Sequence, residues 1–190
     1  MAKKLENPTD LLILIAEVLN DLRIDFFVGG GFAVAVWGRP RFTADIDLVI
    51  NLEEKKIPEL AIQLRRKLPD AYIEVSQMPE ALERFGEFNI IEPSLGIKVD
   101  FWILKNEEYD KLALRRSVKK DIGRNVRFTT PEDLIISKLK WHKLDGSSRH
   151  FEDIKSIFEM SKIDVRYVKT WVKKLGLLAE YKKYLKKSGV

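Results

Sequence analysis

The stretch Phe26-Phe27-Val28-Gly29-Gly30-Gly31-Phe32-Ala33-Val34-Ala35-Val36-Trp37-Gly38-Arg39-Pro40-Arg41-Phe42-Thr43-Ala44-Asp45-Ile46-Asp47-Leu48-Val49-Ile50 decides how the chain folds. Its first three residues are apolar and stop at a run of glycines, which predicts a short buried strand ending in a tight turn. Residues 32–37 are apolar on all sides and predict a short buried helix, broken by Gly38-Arg39-Pro40-Arg41. Ile46, Leu48 and Ile50 then alternate with Asp45, Asp47 and Val49, the period of a second strand. Side chains two apart in a strand point the same way, so Asp45 and Asp47 share a face. With no base between them the two carboxylates repel each other, and a bound divalent cation would remove that repulsion.

Working outward, Asn7-Pro8-Thr9-Asp10 is a helix start, followed by Leu11, Leu12, Ile15, Val18, Leu19 and Leu22 at helical spacing. After the second strand, a helix is expected over about 55–68, with Ile57, Leu60, Ala61 and Leu64 as its apolar face. An edge strand is expected at 72–75. Two hairpins follow, one pairing 87–91 with 97–104 and the other 117–122 with 126–129. From Thr130-Pro131-Glu132-Asp133 the pattern is helical: a cap with proline in the first turn, then helices near 149–161, 164–175 and 177–186. The fold class expected is therefore α+β. A mixed sheet flanked by helices occupies residues 1–129, and a helical C-terminal lobe occupies 130–190.

Composition removes several kinds of chemistry. The 190 residues contain no cysteine and two histidines, His142 and His150. Thiolate metal sites, disulfides and a cysteine nucleophile are excluded, and a metal would have to be held by oxygen, which favours Mg²⁺. The net charge is +5, from 34 Lys+Arg against 29 Asp+Glu. Residues 161–190 hold nine Lys/Arg and two acids, a local +7, so the preceding 160 residues carry −2. The longest weakly polar stretch, thirteen residues over 26–38, contains four glycines and is too short to span a bilayer. No membrane association is expected, and the expected compartment is the cytoplasm.

A third carboxylate, Asp100, lies in the apolar run Val99-Asp100-Phe101-Trp102, where an unpaired charge is costly. The bland reading pairs it with Lys98. If its strand neighbours the first acidic one, three carboxylates converge and can hold two metal ions for in-line nucleotidyl transfer. The glycines would admit phosphate oxygens to backbone N–H groups at a helix start. Arg39, Arg41 and the Thr43 hydroxyl are natural phosphate contacts.

Val28-Gly29-Gly30-Gly31 followed by Arg-x-Thr-x-Asp-Ile-Asp-Leu, with a later Asp in an apolar strand, resembles the DNA polymerase β-like nucleotidyltransferase superfamily. Within it the sequence looks most like the AbiEii-type toxin nucleotidyltransferases, and it is similar also to the aminoglycoside and lincosamide nucleotidyltransferases. Pro131-Glu132-Asp133-Leu134-Ile135-Ile136-Ser137-Lys138-Leu139 and Arg149-His150-Phe151-Glu152-Asp153-Ile154 resemble later AbiEii segments. Either Gly29-Gly30 or Gly30-Gly31 can match the superfamily's glycine pair.

The resemblance implies transfer of a nucleoside monophosphate from an NTP to an acceptor hydroxyl on RNA, protein or a small molecule, with tRNA among the candidates. It implies catalytic, metal-binding Asp45, Asp47 and Asp100, two Mg²⁺ (or Mn²⁺) ions, and a cognate antitoxin. Gly29, Gly30, Gly31, Arg39, Arg41, Thr43 and Lys138 would hold the nucleotide. The alternative is a catalytically silent relative that binds nucleotide or a partner protein.

Blander readings stand beside these. Arg149 and Asp153, four apart, would make an intrahelical ion pair. The two histidines would be surface or packing residues. In the tail, Val168, Trp171, Leu175, Leu178, Tyr181 and Leu185 would form a core stripe. Lys173, Lys174, Lys182, Lys183, Lys186 and Lys187 would then form a solvated face. The sharper reading makes that face an RNA footprint, together with Lys111, Arg115, Arg116, Lys119, Lys120, Arg124 and Arg127.

Overall fold

The structure is a computed structural model and describes residues 5–188. The first helix, α1 (Pro8–Asp21), starts where expected, with the Asn7 side chain accepting from the Asp10 N–H at 3.0 Å. After it come β1 (Phe26–Val28), α2 (Gly30–Trp37), β2 (Asp45–Ile50), α3 (Ile57–Lys67) and β3 (Tyr72–Ile73). Next are α4 (Gln77–Arg84), β4 (Glu87–Glu92), β5 (Ile97–Ile103), α5 (Glu108–Arg116), β6 (Val118–Asp121) and β7 (Asn125–Phe128). Four helices complete the chain: α6 (Pro131–Asp145), α7 (Arg149–Met160), α8 (Val165–Lys174) and α9 (Leu178–Ser188).

Seven strands form one mixed sheet in the order β3-β4-β5-β2-β1-β7-β6. Strands β2 and β5 are parallel, as are β1 and β7, and the other pairings are antiparallel. The alternation read in the sequence sets one face. Ile46, Leu48 and Ile50 of β2 are fully buried, as are Val99 and Phe101 of β5 and Ile90 of β4. Phe88 stacks on Phe101 at 4.8 Å between ring centres. The opposite face of these central strands is left for Asp45, Asp47 and Asp100.

Two helices had no counterpart in the sequence reading. α4 buries Met78 and Ala81, and α5 buries Tyr109 and Ala113. Two buried residues make no stripe that periodicity can detect. α2 begins at Gly30, two residues earlier than expected, and is not buried all round, since Ala35 is exposed.

The chain divides into two compact units. One contains the chain through Phe32 together with Phe42–Phe128. The other contains Ala33–Arg41 and the chain from Thr129 onward. The second unit is helical and includes the end of α2. There the Trp37 indole donates to the Thr129 carbonyl at 2.8 Å, and Ser161 Oγ donates to the Trp37 carbonyl at 2.6 Å. A Cβ on Gly38 would lie 2.4 Å from Ser156 Oγ and 3.2 Å from the Ile157 nitrogen, so only glycine lets this segment approach α7.

The first two turns of α6 are buried all round rather than on one face, and Trp141, expected on the buried side, is 37% exposed. The polar residues of those turns are satisfied. Thr130 caps by accepting from the Asp133 N–H and donates to its carboxylate. The Tyr167 hydroxyl donates to Asp133 at 2.7 Å, and the Asp164 N–H donates to Glu132 at 3.0 Å.

In the tail, Val168, Trp171, Val172, Leu177, Tyr181 and Tyr184 are buried, whereas Leu178 is exposed. Gly176 adopts φ +65° after α8, so one helical period cannot run through it, and Leu177 turns inward in place of Leu178. The six tail lysines are exposed, as the solvated-face reading expects.

Candidate active site

β2 and β5 lie side by side with Asp47 opposite Asp100 and Asp45 opposite Lys98. Paired residues in a ladder point to the same side, so the three aspartates share one face of two central strands. Asp100 is buried. Lys98 Nζ lies 2.9 Å from its Oδ2, while its Oδ1 has no hydrogen-bond partner. The hydrogen bond to Asp100 holds the Lys98 ammonium above the usual lysine range, against the opposing effect of its partial burial.

The neighbouring strand β4 adds two residues that the sequence reading passed over. Asn89 stands opposite Asp100 and Glu87 opposite Trp102, on the same face. Burial, and then the charge of Asp100, push the Glu87 carboxyl above its ordinary value. The pairing of the hairpin was the available signal, because fixing it fixes which residues of β4 face the acids.

The glycine turn closes onto these carboxylates. The Gly29 N–H donates to the Asp47 carbonyl at 2.9 Å. Gly30 has φ +53°, and a Cβ there would fall 1.6 Å from Asp47 Oδ2, so the carboxylate occupies space that any other side chain would need. A Cβ on Gly31 would lie 2.5 Å from Thr43 Oγ1, whereas Gly29 faces open space. The close pair is therefore Gly30-Gly31. The Thr43 hydroxyl donates in turn to the Asp45 carboxylate. Gly30, Gly31, Thr43, Asp45, Asp47 and Asp100 thus form one cluster in the sheet unit.

Of the remaining predicted residues, Gly29 lies in the sheet unit, and Arg39, Arg41 and Lys138 lie in the helical unit. The Arg41 guanidinium grips Asp153 with Nε at 2.8 Å from Oδ1 and Nη2 at 2.9 Å from Oδ2, and Lys138 Nζ lies 2.8 Å from Oδ2. Asp153 is 3% exposed. Its burial favours the neutral form, but the Arg41 hydrogen bonds and the nearby Lys138 charge outweigh it and hold the carboxyl below the usual range. The partners of Asp153 in this cluster come from α6 and from residue 41, a pairing that spacing along one helix cannot reveal. Arg39 is mostly exposed and pairs with Glu159 at 2.9 Å. Both histidines pack. His142 stacks on Phe151 at 3.8 Å and bonds Glu180, and His150 Nε2 lies 2.9 Å from Asp145.

The donor set of the sheet unit suits a hard divalent ion, with three carboxylates on one face and one buried oxygen lacking a partner. It is an open face rather than a closed cage. Among the described residues no group of three or more His, Asp or Glu side chains is placed to hold a metal ion, and Lys98 and Thr43 engage two of the aspartates instead.

A model of the family described as nucleotidyl transferase AbiEii toxin, type IV toxin–antitoxin system, matches residues 13–181. No curated protein matches the chain in sequence. Among solved structures, the antibiotic-resistance protein ANT(2'')-Ia, in complex with adenylyl-2''-tobramycin, is 17% identical. The match covers 92% of this chain and 97% of that one, with a TM-score of 0.59. The lincosamide antibiotic adenylyltransferase LnuA is 13% identical, over 83% of this chain and 100% of that one, with a TM-score of 0.56. An antigenic nucleotidyltransferase-like protein from Paracoccidioides brasiliensis is 20% identical, over 93% and 91%, with a TM-score of 0.54. At these identities the likenesses establish the nucleotidyltransferase fold, the fold class the sequence led us to expect.

Proposed function

The chain belongs to the AbiEii nucleotidyl transferase toxin family, and from that premise we propose that it moves a nucleoside monophosphate from an NTP to an acceptor hydroxyl as the toxin of a toxin–antitoxin pair. The observation that carries the residue assignment is Asp100 Oδ1. It is a buried carboxylate oxygen with no hydrogen-bond partner, on the same face as Asp45 and directly opposite Asp47. A buried oxygen of this kind is costly unless something binds it.

In the proposed reaction the triphosphate lies along the Gly30-Gly31 turn, where backbone N–H groups at the start of α2 and the Thr43 hydroxyl can contact its oxygens. Asp45, Asp47 and Asp100 would hold the metals, and Asp100 also faces the acceptor. Bound Mg²⁺ or Mn²⁺ would lower the pKa of the attacking hydroxyl and offset charge on the leaving pyrophosphate. The acceptor oxygen bonds to the α-phosphorus, the bond from that phosphorus to the bridging oxygen breaks, and pyrophosphate leaves. The acceptor proton passes to the Asp100 carboxylate. Arg39, Arg41 and Lys138 supply cations for the phosphates, the last two already ordered by Asp153. We assign the chemistry to the sheet unit and a supporting role to the helical one.

For the acceptor, the exposed cations Lys111, Arg115, Lys119 and Arg124 and the tail lysines favour RNA, tRNA included, because phosphate contacts by Lys and Arg give salt-dependent binding. No helix among the described residues is long and apolar enough to cross a membrane, consistent with a cytoplasmic site of action. A second reading, a silent nucleotide-binding relative, draws on Lys98 already engaging Asp100 and on the lack, among the described residues, of a closed metal group. Calorimetric titration with each NTP and Mg²⁺, followed by assay of pyrophosphate in the presence of total RNA and cell extract, separates the two. Release of pyrophosphate is expected. Binding without release would leave the silent reading in its place.

A further inference from the structure

Two buried aspartates, Asp153 and Asp100, each hold a lysine, and the two pairs are built differently. In the helical unit both Asp153 oxygens are bonded, Oδ1 by Arg41 and Oδ2 by Arg41 and Lys138, and the Lys138 side chain is 7% exposed. In the sheet unit the Asp100 side chain is nearly as deep, at 6% exposed, yet Lys98 reaches only its Oδ2, and Oδ1 has no partner. The Lys98 side chain is itself 45% exposed. An unbonded buried carboxylate oxygen is costly. The Lys98–Asp100 pair is therefore half of a site and not a closed structural bridge.

Lys98 also stands among acids. It lies opposite Asp45 in the β2–β5 ladder, and Asp100, two residues further along β5, shares its side and lies opposite Asp47. From β4, the Glu87 carboxyl is close enough to feel the charges of both Asp100 and Lys98. One flexibly tethered ammonium thus sits on the face that carries the three aspartates. We propose that Lys98 is the resident counter-ion of this face, seated on Asp100 until a divalent ion displaces it. The proposal rests on reading Asp45, Asp47 and Asp100 as the metal ligands. Lysine suits the part, because its compact charge on a four-carbon stem can swing away without breaking a fixed fork of hydrogen bonds. While seated, the ammonium offsets the repulsion between Asp100 and Asp47. Its departure frees Oδ2 beside the unbonded Oδ1. Lys98 is then a positioning residue that acts through Asp100 and sets how readily the face accepts an ion.

The test is Mn²⁺ binding without nucleotide, followed by electron paramagnetic resonance, in the natural chain, Lys98→Met, Lys98→Arg and Lys67→Met. Lys67 is an exposed lysine at the end of α3 and controls for loss of one positive charge. Lys98→Met should bind Mn²⁺ about tenfold more tightly than the natural chain, on the scale of one charge-assisted hydrogen bond. Lys98→Arg, which keeps the charge, should bind no more tightly than the natural chain, and Lys67→Met should match it. A second measurement needs no variant: acetylation of Lys98 in the natural chain, read by mass spectrometry, should speed up at saturating Mg²⁺ while that of Lys67 stays constant. Equal or weaker Mn²⁺ binding by Lys98→Met overturns the proposal alone, as does equal tightening by Lys98→Arg or Lys67→Met. Unchanged acetylation of Lys98 with the ion bound overturns it too, because the lysine would then be a fixed structural partner. Failure of the natural chain and Lys98→Met alike to bind Mn²⁺ overturns the metal-ligand reading, and this inference with it.

Discussion

At Gly30 two demands meet. Its φ of +53° costs an L residue about 1–2 kcal/mol, and a methyl group there would collide with the Asp47 carboxylate, with Oδ2 at 1.6 Å. Gly30→Ala should therefore cost more in catalysis than in stability, because relief of the clash moves an aspartate assigned to the metals. Steady-state rates beside urea unfolding check this, and full activity in that variant would contradict it. Asp153 makes a different prediction. It is buried, and it neutralises Arg41 and Lys138, so Asp153→Asn leaves two cations without their anion and should cost about 3 kcal/mol. Its carboxyl is held below the ordinary value, so the stabilisation is complete above about pH 4 and is lost as pH falls through the lower folded-state pKa. The stability gap between the natural chain and Asp153→Asn, measured by urea unfolding at a series of pH values, should shrink toward pH 2. A constant gap would remove Asp153 from the acid limb.

At the scale of elements, α6 shows how a helix with polar residues in its buried end is held. Its N-terminal turns are buried with Glu132, Asp133 and Lys138 inside, which is tolerable because each of the three has a partner at 3.0 Å or less. Thr130→Ala removes both the cap and a buried donor to Asp133, and should lower stability by about 1–2 kcal/mol in denaturant unfolding. Elements with a strong local signal were legible in the sequence: the alternation of β2, the capping motifs of α1 and α6, and both hairpins. The aspartate pair was legible because strand period alone places Asp45 and Asp47 together. Which strand lies next to β2 was not, and neither were the partners of Asp153, because both depend on chain crossings that no local pattern encodes. α4 and α5 escaped for a third reason, since each buries only two side chains.

For the molecule as a whole, charge is distributed by role. The sheet unit carries the acids proposed as metal ligands, and the surplus of bases lies largely in the helical tail. Even there the lysines differ. Lys183 pairs with Glu180, and Lys174 and Lys187 lie over the Trp171 and Phe151 rings. Lys173, Lys182 and Lys186 lie on the exposed side of α8 and α9. Replacing these three with glutamine should change stability by no more than about 0.5 kcal/mol each, as read from thermal melts. The same variant should flatten the salt dependence of RNA retention if the tail meets the acceptor. The central claim, that the Asp45–Asp47–Asp100 face transfers a nucleotide, is tested most directly by label transfer. The natural chain and Asp47→Ala are incubated with α-labelled NTPs, Mg²⁺ and cell extract, with circular dichroism to verify the fold. The account predicts labelled acceptor and pyrophosphate from the natural chain, and neither above background from a folded Asp47→Ala. Equal transfer by the two chains would contradict it.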